Sequence, residues 1–451
     1  MAELAFDSAI KLAQRIRRRE LSAVELVEHY IARIERFDAG INAVVVRDFE
    51  HALTQARSAD ESLSSGEHVG PLHGVPITVK EAFDIASFAT TWGDPELRTH
   101  IATRDDPALA RLRAAGAIVL GKTNVSTRLQ DLQTFNEIFG CTNNPWDLTR
   151  SPGGSSGGAA ASIAAGFAAL ELGTDLGGSM RNPAHACGVY GHKSTYGVIP
   201  TSATSPPQCV STGDLVAVGP LARSAEDLAL ALDLLVGPNE FQSAAVRLSL
   251  PRRPRPLRDY RVAFWLHDVH APVAREISDR GQQLAQLLAR LGAQVSDTAR
   301  PECDAARADE VFRRLVDGLV NPASALTHRQ WLTLEEERTK IRHIWREFFQ
   351  LWDVLVCPIA PTAAIAHDRT QMRQRKILVD GVEVPFVQQL FWSGLATISY
   401  LPSTAFPVGL NAQGLPIGLQ AIGAEYHDHV CIDFVNQVAR EIGGFIAPPP
   451  L

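Results

Sequence analysis

Three side chains of this 451-residue chain have the chemistry for nucleophilic catalysis: Lys80, Ser155 and Ser179. A serine hydroxyl is a weak nucleophile and needs a base beside it. Lysine can be that base only where burial or cationic neighbours pull its pKa toward neutrality. Lys80 closes the segment 71–80, a turn leading into a β-branched strand through Val75, Ile77 and Val79, so its setting is apolar. The chain has six lysines against 37 arginines, which makes a lysine in such a segment stand out. The competing reading is a strand-end lysine pointing into solvent.

Ser155 sits among Gly153, Gly154, Gly157 and Gly158. Glycine permits backbone conformations that other residues avoid, and strained turns cluster at functional sites. A plain Gly/Ser linker is the alternative, and it fits poorly beside the Ala-rich helix expected from Ala159. Leu176, Gly177 and Gly178 lead directly into Ser179. Their N–H groups could approach a developing oxyanion closely, where one donor is worth about 3 kcal/mol.

Several motif matches fail on context. Gly116 to Thr123 satisfies the P-loop pattern, but its central residues 117–120 are apolar and read as a strand, not a phosphate-cradling turn. Residues 153–157 satisfy G-x-S-x-G, the nucleophile elbow of an α/β-hydrolase-type esterase. That elbow must follow a buried strand, whereas residues 143–152 are polar and turn-forming. The Asn124 sequon lacks a secretion signal to give it meaning. His185 and Cys187 alone make a poor metal site, and core packing is the better reading.

The elements that must position these groups alternate between strand and helix. Ser22 and Glu25 form a capping box ahead of the run through Leu26, Tyr30 and Ile34. Further helices are expected near 107–115, 278–291, 334–351 and 430–442, and strands near 117–120, 260–265 and 353–357. This order predicts an α/β fold, a single large α/β/α sandwich with a mixed sheet covered by helices on both faces. One domain over 1–451 is expected: N-terminal helices over 1–65, a core carrying the candidate groups over 66–237, a variable helical insertion over 238–345, and a C-terminal part over 346–451 that completes the sheet. The Pro- and Arg-rich stretch 238–256 is the best linker candidate.

Composition narrows the classes. Hydrophobic residues at 45% and charged residues at 21% are those of a globular protein, and a net charge of −7 gives no nucleic-acid footprint. The basic runs Arg17 to Arg19 and Arg252 to Arg255 read as a solvated helix face and a linker. Six scattered cysteines without a C-x-x-C pair fit a reducing compartment. Neither a signal segment nor an apolar run of about 18 residues is present, so a cytoplasmic location is expected, without membrane or nucleic-acid partners.

The stretch Ser151 to Ala159, followed by Gly173 to Arg181, resembles the signature of the amidase signature family. The resemblance extends to residues 74–80, 121–124, 187–191 and 414–420, and is weakest over 238–345. The separations Lys80 to Ser155 (75 residues) and Ser155 to Ser179 (24 residues) also match the family's pattern. It implies a Ser-Ser-Lys triad with Ser179 as nucleophile, Lys80 as base, and Ser155 as proton relay after a cis peptide bond. It further implies an Asp175–Arg181 ion pair shaping the loop and supporting hydroxyls on Ser156 and Thr174. Leu129 and Gln130 would line the substrate side, and no metal or organic cofactor is required. Ala159, Ser126, Ser194, Asn182 and His192 depart from the family's usual residues.

The expected substrate is a small aryl or alkyl amide, or a carbamate (urethane) or ester, cleaved by a cytoplasmic monomer or homodimer. The loop 201–212, carrying Gln208, is a candidate lid. The main rival is a glutaminase subunit of a tRNA-dependent amidotransferase. A non-catalytic binding protein is the remaining alternative.

Overall fold

Along the strand Arg261–Phe264 and its extension, Val262 and Phe264 enter one apolar cluster while Ala263 and Trp265 enter another. The strand Val354–Pro358 repeats the pattern, with Val354 and Val356 on one side and Leu355 and Cys357 on the other. Alternate side chains of a strand point to opposite faces, so a sheet apolar on both faces must be covered on both. The structure, a computed structural model, describes residues 4–450.

Among these, eleven strands form one sheet: β1 (Val44–Arg47), β2 (Pro76–Lys80), β3 (Ile118–Thr123), β4 (Leu170–Asp175), β5 (Tyr190–Lys193), β6 (Ala217–Ala222), β7 (Arg261–Phe264), β8 (Gln294–Ser296), β9 (Val354–Pro358), β10 (Ser403–Leu410) and β11 (Pro416–Ile422). Their order is β1-β3-β2-β4-β6-β5-β10-β11-β9-β7-β8. The sheet is mixed: β2 runs parallel to both β3 and β4, and β7 runs parallel to β8 and β9. The other pairings are antiparallel.

The helices divide between the faces. The first apolar cluster takes in α1 (Ala9–Arg17), α2 (Ala23–Ile41), α3 (Phe49–Ser64), α4 (Pro107–Ala114), α7 (Ala225–Leu235), α8 (Arg275–Arg290) and α12 (Asp428–Ile442). The second takes in α9 (Ala305–Val320), α10 (His328–Leu351) and α11 (Leu390–Ile398). Two short helices, α5 (Gly157–Ala164) and α6 (Arg181–Cys187), share a third cluster and are buried along their whole length. Small residues allow this: a Cβ on Gly158 would lie 2.4 Å from the backbone nitrogen of Asn124.

The expected α/β/α sandwich is the observed architecture, and the Ser22–Glu25 capping box forms as written. Two differences matter. The strand expected at 117–120 runs on to Thr123, so Gly121, Lys122 and Thr123 of the apparent P-loop lie in a buried strand. The stretch 238–345, expected as a variable helical insertion with one strand near 260–265, supplies that strand as β7 and an unforeseen second one, β8, to the common sheet. Neither helix nor strand forms in 238–256, which connects α7 to β7 over the surface.

The middle of the sheet leaves no room for extra atoms. A Cβ on Gly219 in β6 would meet the carbonyl oxygen of His192 in β5 at 1.8 Å. Overpacking costs about 1–3 kcal/mol when side chains can yield, and here the obstacle is backbone. Gly219→Ala is therefore expected to lower the urea midpoint markedly; an unchanged midpoint would contradict this packing.

Candidate active site

Because β2 and β4 are parallel neighbours, their carboxyl ends meet at one edge of the sheet, where α/β proteins place their ligand crevices. Lys80 is the last residue of β2, while Thr174 and Asp175 end β4. The turn into α5 brings Ser155 and Ser156 to the same edge. Lys80 Nζ lies 2.7 Å from Ser155 Oγ and 2.7 Å from Thr174 Oγ1. The peptide bond between Gly154 and Ser155 is cis. Ser156 N–H donates to the Ser179 carbonyl at 2.9 Å, and Ser156 Oγ donates to the Thr174 carbonyl at 3.2 Å. Ser179 is thus fixed beside the 155–156 segment, and its own hydroxyl bonds to no other group among the described residues.

Lys80 is fully buried, and its pKa is pulled down to about 7 by that burial, against the opposing charges of Asp175 and Glu171. Burial pushes the neighbouring Glu171 up to about 8, although Thr78 and Thr123 donate hydrogen bonds to it. No carboxylate touches the amine, so near neutral pH the uncharged form is accessible. A neutral Nζ can donate to Thr174 while accepting from Ser155. Lys122 and Lys193 are equally buried, but Lys122 binds Glu81, Thr90 and the Ala89 carbonyl, and Lys193 binds the Ser194 and Leu401 carbonyls. Among the described lysines, Lys80 alone lies against a serine hydroxyl.

The loop after β4 is organised by Asp175. Its carboxylate accepts from Gly178 N–H at 2.9 Å, Met180 N–H at 3.1 Å, and Arg181 Nη2 and Nε at 2.8 and 3.0 Å. Burial opposes this charge, but Arg181 and Lys193 hold the carboxyl far below the usual carboxylate range. Arg181 continues to the Ser393 carbonyl, Gln420 and Thr397, and Ser393 Oγ donates to the Gly177 carbonyl at 2.8 Å. Of the three amides expected to face an oxyanion, Gly178 must be set aside, because Asp175 already holds its N–H. The N–H groups of Leu176, Gly177 and Ser179 itself bond to nothing within the described chain.

Ser179 opens onto a cavity of about 700 Å³, lined by Leu129 and Gln130 as well as Leu176 and Gly177. Arg128 and Leu129 both hold positive φ (53° and 61°), a strained bend at the cavity's edge. Gln130 Nε2 donates to the Val320 carbonyl at 3.1 Å and joins this bend to α9. The opposite wall was not foreseen: Phe312, Val316, Met372, Val387 and Leu390 come from chain regions far from the motifs that carry Lys80, Ser155 and Ser179. The charged residues lining it have partners: Asp131 binds Arg375, Arg313 binds Asp309, and Arg373 binds Asp317.

Other expectations resolve differently. None of residues 201–212 lines this cavity, and Asp106 anchors Thr201 and Ser202 by hydrogen bonds of 2.7–2.9 Å. The loop therefore sits over the α4 end rather than as a lid. His185 accepts from Gly418 N–H at 2.9 Å and faces the Thr362 carbonyl at 2.9 Å, a structural role. His192 pairs with Asp428 at 3.1 Å, and Asn182 reaches Gln389 at 3.3 Å.

The sequence profile of the amidase family matches residues 25–308 and 296–432. The chain is a member of the amidase signature family. Its relatives include the A-type subunit of the glutamyl-tRNA(Gln) amidotransferase of a Picosynechococcus species, 30% identical over 487 residues, covering 96% of this chain and 97% of that one. A bacterial aryl acylamidase of the amidase signature family is similar in structure, with TM-score 0.86, 25% identity and 99% coverage of each chain. So is a chain from a vestigial complex bearing on the origins of an s-triazine catabolic enzyme, with TM-score 0.86, 27% identity, and 98% and 100% coverage. Among the described residues, no helix of this amidase signature protein is long and apolar enough to cross a membrane.

Removing one member of a buried ion pair strands the other charge, at a cost of about 3–5 kcal/mol. Both side chains of the Asp175–Arg181 pair have 0% exposure. Arg181→Ala is expected to lose most of its thermal stability margin, and a calorimetric scan superimposing on wild type would contradict the assigned support.

Proposed function

We propose that this chain is a free-standing serine hydrolase of small aryl or alkyl amides and of carbamates of similar shape. The reading rests on one observation above the rest: Lys80 Nζ, buried and depressed to about 7, lies 2.7 Å from Ser155 Oγ. Neutral Lys80 accepts the Ser155 proton as Ser155 accepts that of Ser179. Ser179 Oγ then attacks the carbonyl carbon, and the oxyanion forms against the N–H groups of Leu176, Gly177 and Ser179. The C–N bond breaks as the leaving amine takes the proton back through Ser155. Water, deprotonated along the same path, releases the acyl group from Ser179. Ser156, Thr174, Asp175 and Arg181 act by positioning.

The character of the pocket supports this substrate class. Its walls are mostly apolar, and the charged groups lining it are already paired. A neutral aryl or alkyl group loses water favourably there, whereas the two charges of free glutamine would be desolvated without compensation.

A second reading is favoured by the relatives named as A-type subunits of glutamyl-tRNA(Gln) amidotransferases, 28–30% identical over at least 90% of this chain. In that reading the chain is a glutaminase that works with partner subunits. Ranking kcat/KM for the purified chain on p-nitroacetanilide, a nitrophenyl carbamate and glutamine separates the two. Turnover of the anilide or carbamate, abolished by Ser179→Ala, is expected; glutamine turnover alone would sink the free-hydrolase reading.

The pH dependence has a definite sign. Below about 7 Lys80 is increasingly an ammonium and cannot accept a proton. The value of kcat/KM is therefore expected to rise with pH, roughly tenfold per unit on the acid side, and to level off above neutrality. A profile flat from acid to neutral pH would exclude Lys80 as the base.

A further inference from the structure

A second cavity, of about 770 Å³, lies away from Ser179 and is lined mainly by α10, the 253–261 segment and the turn after β11. Five guanidinium groups border it, those of Arg253, Arg255, Arg261, Arg342 and Arg346, against two carboxylates, Asp353 and Glu425. Asp353 is shared by Arg261 at 2.8 Å and Arg255 at 3.1 Å, while Glu425 is held by Arg342 at 3.0 Å. Arg253 and Arg346 form no ion pair among the described residues. Five positive charges less two negative leave an excess of three around one concave surface.

Independent of that charge, the cavity borders polar atoms without partners. Ser399 is 1% exposed and its Oγ makes no hydrogen bond, nor do the buried Nε atoms of Arg255 and Arg342. Buried donors left unpaired are costly, so such a group lining a cavity marks where a ligand's acceptors fit. Phe349, Trp352 and Tyr426 add aromatic surface to the same walls. The volume falls in the range of about 300–1,000 Å³ usual for small-molecule sites.

We infer that this cavity binds a phosphate-bearing small molecule of nucleotide size, its phosphates facing the arginines and Ser399, its ring the aromatic side chains. Guanidinium pairs phosphate through two parallel hydrogen bonds, which Arg253 and Arg346 are free to make. Arg253 and Arg255, from the run that reads as a linker in sequence, therefore contribute to the binding wall. The inference does not depend on the hydrolytic reading, because its measurement is binding and not turnover.

Calorimetric titration of the full chain with ATP, inorganic pyrophosphate and adenosine tests it. Saturable binding of ATP is expected, weakened by about tenfold or more in Arg253→Ala/Arg346→Ala, the loss of at least one charge-assisted contact. Both residues are exposed and outside any ion pair, so the variant should fold, and its thermal midpoint verifies that. The exposed Arg57→Ala, elsewhere on the surface, should bind as wild type does. Pyrophosphate binding as tightly as ATP would remove the ring from recognition and overturn the assignment of a nucleotide-sized ligand. Adenosine binding as tightly as ATP, equal affinity in the double variant, or no saturable binding at millimolar ATP would overturn it.

Discussion

An amine held inside a protein with no carboxylate in contact is unfavourable in its charged form, and the edge of the sheet that carries the proposed triad is arranged around that constraint. Burial removes water from Lys80, and its hydrogen-bonding neighbours, Ser155 and Thr174, are neutral hydroxyls. The same desolvation raises nearby Glu171 to about 8, which weakens it as a counter-ion to the amine. Move a carboxylate into contact with Nζ and the ammonium would be stabilised, leaving the serine without a base. The parallel pairing of β2 with β4 is what allows the arrangement, since it places Lys80 and the loop that carries Ser179 at one end of the sheet.

The loop that presents Ser179 is stiffened by charge rather than by apolar packing. Asp175 and Arg181 are both fully buried, and between them they engage loop amides, two residues of α11 and Gln420 of β11. A buried ion pair is an uncertain source of stability. Its value here is geometric: one set of contacts orients the loop, leaving the amides of Leu176, Gly177 and Ser179 available. Preorganised donors of this kind need no rearrangement when negative charge develops.

The chemistry was more legible in the sequence than the pocket. Val75, Ile77 and Val79 announce a buried strand, and the glycines around Ser155 announce an unusual turn, because both signals are local. The fate of the Gly178 amide was not legible, since it depends on how Asp175 folds back over three residues. Phe312 and Val316 were missed for a different reason. Their helical spacing on α9 is that of any core-facing helix, and nothing in the pattern separates a wall that faces substrate from one that faces protein. Lys122 and Lys193 show the limit of reading burial from rarity: both are as buried as Lys80, which differs in lying against a serine hydroxyl with no carboxylate in contact.

The wall formed by α9 and the segment around Leu390 lies more than a hundred residues, in sequence, from the motifs carrying Lys80, Ser155 and Ser179. In the proposed reading, the groups that would carry the reaction and much of the wall that would face substrate thus come from separate stretches of the chain. Substitutions can accumulate in the one without disturbing the protonation state or hydroxyl geometry maintained by the other. Divergence of preference among proteins with this architecture needs no reinvention of their bond-breaking step, and deliberate remodelling of the far wall inherits the same freedom.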